Sequence, residues 1–269
     1  MQPQPVMAHG SIKKSAVIYS HQTDIYAPSR STPSALVIGL HRAGTTNEDF
    51  EAMTQLVPAG AARHWVLAFP NGARGSWNGG NCCGHAARTD MKDVAYLKSL
   101  IPHLKRSYRI PASAPTIIVG SSNGAMLAAR FLCSSSNRLV SGAVLHAGNL
   151  QDPSCKVMRA PHILWMRGRG DTTVPIAGSL YHPYLQTHLL ADSTTLGAFK
   201  YGSPCKIPYR YNRGGISSTI LVCGAGSSKR ELRMYRDNGG HGWSTRATPG
   251  RVNSTALTVS FIESIVRRH

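Results

Sequence analysis

Short apolar runs separated by polar, glycine-rich segments make up the pattern along this chain. Residues 35–40, 65–69 and 142–146 are apolar without alternation, which is typical of strands buried on both faces of a parallel sheet. Further strands are predicted at residues 16–19, 116–119, 162–166 and 232–235. The pattern therefore predicts a mainly parallel sheet.

Segments with helical spacing lie between these runs. Residues 93–104 carry apolar side chains three or four positions apart, at Val94, Leu97, Leu100, Ile101 and Leu104. Thr89 or Asp90 is the predicted N-cap, and helices are also predicted after Ser122 and at residues 256–266. This alternation predicts an α/β fold with helices on both faces of the sheet, in one domain over residues 34–269. Residues 1–33 are predicted to be an N-terminal extension with the first strand, and residues 178–230, which lack periodicity, an irregular insertion.

The charge balance is strongly basic, because 30 Lys and Arg face 12 Asp and Glu among 269 residues, for a net charge of +18. Such a field concentrates polyanions, although a basic surface also serves solubility or adhesion to an acidic wall. No apolar run reaches the roughly 18 residues of a membrane span. No nucleic-acid-binding motif accompanies the charge. The predicted partner is a polyanion, not a membrane or a specific nucleic acid.

The six cysteines are many for a cytosolic enzyme, and their number is even: Cys82, Cys83, Cys133, Cys155, Cys205 and Cys223. The alternative is a zinc site at Cys82, Cys83 and His85, but adjacent cysteines lack the usual ligand spacing. The N-terminus lacks the pattern of a signal peptide, so the protein is cytosolic or the given chain begins after a removed leader. The cysteines favour three disulfides, no metal, and a secreted or periplasmic location.

The most informative motif is Gly120-Ser121-Ser122-Asn123-Gly124, a G-x-S-x-G pattern centred on Ser122. A strand is predicted before it and a helix after it, which is the context of a nucleophile elbow. Its glycines let strand and helix approach closely, while the serine hydroxyl is exposed on a tight turn. A bare match also occurs in ordinary Ser/Gly turns. The context predicts a serine nucleophile.

A serine nucleophile needs an acid and a base, which follow it in the order Ser, Asp or Glu, His in α/β hydrolases. Asp171 lies after the strand at 162–166, at the sheet end where sites of α/β proteins form, and Asp152 is the alternative. His241 stands in a glycine loop directly after the strand at 232–235. Three other histidines follow Asp171 in less suitable places: His182, His188 and His269. We predict a triad of Ser122, Asp171 and His241.

An oxyanion hole requires two N–H groups directed at the developing charge. One is predicted to be the backbone N–H of Asn123, directly after the nucleophile. The other is predicted to come from Ala43 or Arg42, in the loop after the strand at 35–40, with His41 shaping this turn.

Motifs spread over residues 35–243 together resemble the esterase family of polyhydroxybutyrate depolymerases and feruloyl esterases. They are Leu40-His41 with its glycine-bearing turn, Pro70-Asn71-Gly72, Ser76-Trp77-Asn78-Gly79, Cys82-Cys83-Gly84, the Ser122 motif with Ala125-Met126, Ala147-Gly148, Gly170-Asp171 with Val174-Pro175, and Gly239-Gly240-His241-Gly242-Trp243. The resemblance implies an α/β-hydrolase fold, the same triad, no cofactor, and export from the cytoplasm. It also implies a disulfide between Cys205 and Cys223, with Cys82 and Cys83 paired to Cys133 and Cys155 in either order.

The chain departs from the family's pattern in its arginines. Arg42 stands where the family usually has glycine, and Arg167 and Arg169 precede the predicted acid, where the family has a small or polar approach. Guanidinium groups pair with carboxylates in a bidentate geometry. The predicted substrate-binding residues are Arg42, Arg74, Arg88, Arg167, Arg169 and Arg246, together with Trp77, Asn78 and Trp243.

The sequence therefore predicts a serine hydrolase that cleaves a polyanionic polymer through an acyl-enzyme. Within the family, hydrolases of poly(aspartic acid) fit the arginine-rich loops, so its amide bonds are the leading candidate. A polyhydroxyalkanoate depolymerase or a feruloyl or acetyl esterase is the alternative with the same chemistry. A non-catalytic basic binding protein on a hydrolase scaffold is the alternative from another class. Both a monomer and a homodimer fit the sequence.

Overall fold

The apolar runs form the strands of a central sheet in the computed structural model, which describes residues 11–157, 161–183, 185–201, 204–226 and 229–269. In chain order the strands are β1 (Ser11–Ile18), β2 (His21–Pro28), β3 (Ala35–Leu40), β4 (Trp65–Pro70), β5 (Thr116–Ser121), β6 (Gly142–His146), β7 (His162–Gly168), β8 (Ser179–His182), β9 (Thr187–Leu189), β10 (Cys205–Arg213), β11 (Ile216–Cys223) and β12 (Arg230–Asp237). The helices are α1 (Asn47–Thr54), α2 (Leu56–Ala61), α3 (Gly84–Arg88), α4 (Asp93–Ser107), α5 (Asn123–Leu132), α6 (Asp192–Lys200) and α7 (Ser254–Val266).

Within the described residues the main sheet has ten strands in the order β1-β2-β4-β3-β5-β6-β7-β12-β11-β10. The strands from β4 through β12 in this order are parallel, and antiparallel pairs form both edges. Every residue of β3, β4, β5 and β6 is buried, as the continuous apolar runs predict. The predicted α/β class with a mainly parallel sheet is confirmed.

Helices cover both faces of this sheet and bury its apolar side chains. On one face α4 and α5 contribute Leu100 and Phe131 to a core cluster that includes Ile38 of β3. On the other face α1, α2 and α7 pack against strand residues such as Val119, with Phe261 among the buried helix residues. Since α5 follows β5 directly, the turn between them lies at the carboxyl edge of the sheet.

The region predicted to be irregular, residues 178–230, is structured where it is described. It holds a small β8–β9 hairpin, α6, and the hairpin of β10 and β11, which extends the main sheet beside β12. Gly214 and Gly215 connect β10 to β11 with positive φ angles of 61° and 80°. The N-terminal extension likewise joins the sheet, because β1 pairs with β2 and β2 with β4. Residues 1–10 of that extension lie outside the described residues.

The predicted N-cap of α4 was wrong by two or three residues. The helix is preceded by Lys92, which makes no side-chain capping bond. Thr89 instead ends α3, where its hydroxyl donates to the His85 carbonyl over 2.9 Å. Asp90 pairs with Lys92 and accepts a hydrogen bond from Asn78 Nδ2 at 3.1 Å. Local hydrogen bonding therefore takes both side chains away from the helix end.

Three disulfides are present, and one of the implied pairings holds. Cys205 and Cys223 join the paired ends of β10 and β11. Cys82 and Cys83 pair with each other and not with Cys133 and Cys155, which form the third disulfide.

Cys83 and Cys133 lie near opposite ends of α5. Cys83 Sγ lies 3.8 Å from Met126 Sδ in the first turns of α5, whereas Cys133 follows the last turn of this helix. The seven residues from Met126 to Cys133 correspond to about 10 Å along the helix axis. Cys155 instead comes within 5.4 Å of the Cys133 Cα.

No helix in the described ranges is long and apolar enough to cross a membrane.

Candidate active site

Ser122 lies in the tight turn between β5 and α5. Its backbone has φ 54° and ψ −120°, outside the usual regions for a non-glycine residue, and its N–H donates to the His146 carbonyl over 2.8 Å. A Cβ on Gly120 would overlap the Gly124 backbone, and one on Gly124 would overlap the Leu40 carbonyl. The two glycines of the motif are therefore required by close packing of strand, loop and helix.

Ser122, His241 and Asp171 form one hydrogen-bonded row at the carboxyl edge of the sheet. His241 Nε2 lies 2.8 Å from Ser122 Oγ, and His241 Nδ1 lies 2.9 Å from Asp171 Oδ2 and 3.1 Å from Oδ1. Because an ionised carboxylate only accepts, Nδ1 carries the ring proton. Nε2 is then free to accept the serine proton. The alternative acid Asp152 instead accepts from the amide and hydroxyl of Ser154.

The Asp171 carboxylate is held by several donors. Its Oδ1 accepts the backbone N–H groups of Thr173 at 3.0 Å and Val174 at 2.8 Å, and Arg167 Nη1 lies 3.4 Å from Oδ2. Burial by itself raises the pKa of Asp171, but hydrogen bonds from His241 and Val174 outweigh it, so the net pKa lies below the usual value. Asp171 is therefore ionised at neutral pH.

Arg167 does not lie at the rim of the site, which corrects its predicted role in substrate binding. Its side chain is 1% exposed, with Nε 3.1 Å from Asp192 Oδ2 and Nη2 donating to the Val174 carbonyl over 2.6 Å. Asp192 begins α6 and also accepts from Asn149. The guanidinium thus bridges two buried carboxylates, those of Asp171 and Asp192. Asp192 is not among the predicted site residues, because one aspartate at a helix start is also an ordinary first-turn residue.

His146, which sequence analysis treated only as the end of a strand, packs behind the triad. It is buried, its Nδ1 lies 3.0 Å from Ser121 Oγ, and its ring centroid is 4.8 Å from that of Trp243. Burial, with a smaller contribution from His241, lowers the pKa of His146 to about 3. The ring is therefore neutral and adds no charge beside His241.

Asp237, at the end of β12, holds the loop that carries His241 through hydrogen bonds. Asp237 Oδ1 accepts the Gly239 N–H at 2.8 Å, and Oδ2 accepts the Val252 N–H at 3.0 Å. A Cβ on Gly168 would overlap the Gly239 carbonyl, so β7 and this loop pack without space for a side chain. These contacts position the imidazole over the serine turn.

The predicted oxyanion donors belong to two segments that pack together. The side-chain amide of Asn123 is hydrogen-bonded to the backbone of Trp77. Its Oδ1 accepts from the Trp77 N–H at 2.7 Å, and its Nδ2 donates to the Trp77 carbonyl at 2.8 Å. His41 Nδ1 and Thr45 Oγ1 both donate to the Arg42 carbonyl, at 2.7 and 3.0 Å. Since a trans peptide directs its C=O and N–H to opposite sides, the Ala43 N–H points away from these donors.

A groove of about 410 Å³ starts at Ala43 and runs past α3. Arg74, Arg88 and His85 line it, together with Cys83 and Leu185. The described lining includes no Asp or Glu side chain. The Gly44 N–H donates to the Gly75 carbonyl over 2.8 Å, which ties the β3 loop to the turn that carries Arg74. Arg74 and Arg88 are thus the predicted arginines that the structure brings together beside Ala43.

The other predicted binding residues divide by exposure. Trp77 and Asn78 are 0% and 2% exposed, so neither reaches a substrate, which corrects their predicted role. Arg169 is committed to the β10–β11 turn, where Nη1 donates to the Gly215 carbonyl and Nη2 to Ser217 Oγ.

Three predicted binding residues remain accessible: Arg42 and Trp243 are half-exposed, and Arg246 is exposed. Trp243 Nε1 donates to Thr255 Oγ1. None of the three lines the groove.

The alternative zinc site has no support from the positions of the side chains. Cys82 and Cys83 form a disulfide, so neither offers a thiolate. Across the described ranges, no three His, Cys, Asp or Glu residues are grouped as metal ligands.

No protein-family model matches the sequence, and no curated protein matches it by sequence. Solved structures do match. An acetyl xylan esterase from Aspergillus awamori shares 13% identity with a TM-score of 0.61, over 94% of this chain and 99% of that one. The chain has an α/β-hydrolase fold.

Two further structures agree with this fold. The carboxylesterase of Bacillus cereus is similar at 13% identity and a TM-score of 0.57, over 92% of this chain and 95% of that one. The protein TT1662 from Thermus thermophilus shares 15% identity with a TM-score of 0.59, over 95% and 98% of the two chains. At these identities the likeness concerns the fold, and the resemblance to polyhydroxybutyrate depolymerases and feruloyl esterases rests on the motifs.

Proposed function

We propose that this protein is a serine hydrolase acting through an acyl-enzyme. The observation that carries the proposal is the hydrogen-bonded row of Ser122, His241 and Asp171, with His241 Nε2 facing the serine hydroxyl at 2.8 Å. The strained backbone of Ser122 supports it as well, because such strain is expected at a nucleophile elbow.

In this proposal Ser122 Oγ attacks the substrate carbonyl while His241 Nε2 takes the serine proton. Asp171 keeps the Nδ1 proton in place and stabilises the imidazolium that forms. The N–H groups of Asn123 and Ala43 stabilise the oxyanion, and each contributes about 10²–10³ in turnover. His241 then protonates the leaving amine or alcohol. Water hydrolyses the acyl-enzyme with His241 again as base, which restores Ser122.

The substrate we favour is a polyanionic polymer, with the amide bonds of poly(aspartic acid) as the leading candidate. Two observations support it: the net charge of +18, and the groove beside Ala43, where Arg74 and Arg88 face no acidic side chain among the described lining residues. A guanidinium binds a carboxylate with two parallel hydrogen bonds.

Ester hydrolysis is the second candidate, as a polyhydroxyalkanoate depolymerase or a feruloyl or acetyl esterase. It is favoured by two structural neighbours, an acetyl xylan esterase and a carboxylesterase. The same triad serves both reactions, because only the leaving group differs.

The first experiment compares the wild type with Ser122→Ala on poly(aspartic acid) and on polyhydroxybutyrate, following chain length by size-exclusion chromatography. We expect the wild type to label with a fluorophosphonate and to shorten poly(aspartic acid), and Ser122→Ala to do neither. Cleavage of the polyester alone would retain the triad and replace the substrate. An unlabelled wild type would overturn the hydrolase proposal and favour a non-catalytic binding protein.

The second experiment tests the groove with Arg74→Gln/Arg88→Gln against the charge-matched control Arg30→Gln/Lys98→Gln, whose side chains are exposed and do not line the groove. Each exposed ion pair contributes about 0.2–1 kcal/mol. We therefore expect KM for poly(aspartic acid) to rise roughly 2- to 30-fold in the groove variant only, and to depend less on salt. A neutral aryl ester should react unchanged. Equal effects in both variants would assign the preference to net charge, not to the groove.

A further inference from the structure

A second cavity, of about 480 Å³, lies at the amino-terminal edge of the sheet, opposite the triad. Its floor includes Val140, Ser141 and His162, which flank the starts of β6 and β7, whereas the triad lies beyond the ends of these strands. Five to seven residues of strand place the two sites about 15–20 Å apart. We call this cavity the distal pocket.

The distal pocket is lined by cations without acidic side chains. Arg138, Lys229, Arg230 and Arg268 line it together with His162, and its described lining includes no Asp or Glu. Arg268 pairs with the neighbouring Glu231 over 2.8 Å. Among the described residues neither Arg138 nor Lys229 has an ion-pair partner. Two exposed cations without an ion-pair partner thus line one concave surface.

The hydrogen bonds of His162 leave two donors side by side in the lining of this pocket. The Glu231 N–H donates to His162 Nδ1 over 3.3 Å, so Nδ1 is the acceptor of the ring. Burial, followed by the charge of Arg268, lowers the pKa of His162 to about 4, so the ring is neutral at neutral pH and its proton is on Nε2. Arg268 Nη1 lies 3.4 Å from that Nε2. Both atoms are donors, and one acceptor oxygen placed beside the two nitrogens would satisfy both.

We propose that the distal pocket binds a small oxyanion with two or more negative charges, carried by phosphate or carboxylate oxygens. Arg138 and Lys229 supply free charge, and Arg268 Nη1 and His162 Nε2–H supply directed donors. The cavity is large enough for a molecule of the size of pyrophosphate or citrate, which satisfy cations on several sides at once. Since the pocket lies at the opposite edge of the sheet, this binding is independent of the proposed hydrolysis.

The test is isothermal titration calorimetry at about 0.15 M salt, where attraction between distant exposed charges is largely screened. Pyrophosphate and citrate are titrated separately into Ser122→Ala, which excludes turnover. The variant Arg138→Gln/Lys229→Gln is compared with Arg30→Gln/Lys98→Gln, which removes the same charge elsewhere. Thermal unfolding of each variant confirms that it is folded.

We expect saturable 1:1 binding of at least one of the two anions, weakened about tenfold or more in the pocket variant because two charge-assisted contacts are lost. The control should bind as the parent does. The stronger of the two titrations identifies phosphate or carboxylate oxygens as the preferred chemistry. Absence of saturable binding, or equal weakening in pocket and control variants, would overturn the proposal. Neither outcome bears on cleavage of poly(aspartic acid), which is measured with the active serine.

Discussion

Replacing Arg167 by glutamine separates the role that the sequence predicts for this residue from the role that the structure gives it. A substrate-binding arginine at the rim would affect KM and leave stability unchanged. Replacement of an arginine that bridges Asp171 and Asp192 in the interior would instead lower stability and leave KM unchanged. The reason is that its loss leaves a buried carboxylate without its cation.

The expected magnitude follows from what each carboxylate retains. Asp171 keeps two backbone N–H groups and His241, so it remains satisfied. Asp192 keeps only Asn149 at 3.3 Å and Arg236 at 3.7 Å among its described partners. Breaking a buried ion pair costs about 3–5 kcal/mol, and these remaining contacts favour the lower end, about 3 kcal/mol. Burial raises the pKa of Asp192 despite Arg167, so the cost should shrink as pH falls and this carboxyl protonates.

The assay is urea unfolding at pH 8 and pH 5 for Arg167→Gln, Asp192→Asn and the double variant, with kcat and KM on poly(aspartic acid). We expect the double variant to lose less than the sum of the single losses, with a coupling of about 1–3 kcal/mol. Arg246→Gln is the control, since its exposed side chain should change stability by less than about 0.5 kcal/mol. A stability loss below about 1 kcal/mol in Arg167→Gln together with a raised KM would refute the buried bridge.

Three further substitutions test the site and the fold. Burial lowers the pKa of His146 to about 3, so on acidification below pH 6.5 the unfolded chain takes up the proton before the folded protein does. The wild type should therefore lose up to about 1.4 kcal/mol of stability per pH unit, and His146→Asn should remove this loss. If this reasoning is wrong, urea titrations at several pH values will give the same slope for both proteins. Gly148→Ala should lower kcat at least about tenfold, because its Cβ would overlap the Ser122 carbonyl, and unchanged kinetics would contradict the tight turn. Gly197 is exposed in α6, and no atom lies within 4 Å of an added methyl group. Gly197→Ala should therefore raise the unfolding free energy by up to about 1 kcal/mol. A decrease in the unfolding free energy would show that the helix is strained at this position.

The central strands and the serine turn were predictable because their signals are local. A buried parallel strand needs a continuous apolar run, and the turn after β5 needs glycines on both sides of Ser122. Two local signals were overlooked. Thr46 and Asp49 form a capping box at the start of α1, and their spacing of three residues in the sequence predicts it. Gly214-Gly215 between two polar-apolar segments is a hairpin signal for β10 and β11.

The cysteine pairings were not predictable in the same way. Cys205 and Cys223 fall opposite each other because β10 and β11 form a hairpin, so local structure determines that pair. The partner of Cys133 depends on which end of α5 each loop approaches, and only the packed fold decides this. An even count of cysteines therefore predicts disulfides without predicting their connectivity.

The ion pairs of the arginines, like the cysteine pairings, could not be predicted from the sequence. A net charge of +18 measures the excess of cations, but which cations are free depends on where the few acids lie in the fold. Asp171 and Asp192 neutralise Arg167, Glu231 holds Arg233 and Arg268, and Glu263 pairs with Arg63. Asp192, Glu231 and Glu263 each bind an arginine that is distant in sequence, whereas Asp171 lies four residues after Arg167. Cations without an acidic side chain in the described lining remain in the groove of Arg74 and Arg88 and in the distal pocket. That distribution supports the two proposed anionic ligands on opposite edges of the sheet, whereas the total charge alone would place one polyanion anywhere on the surface.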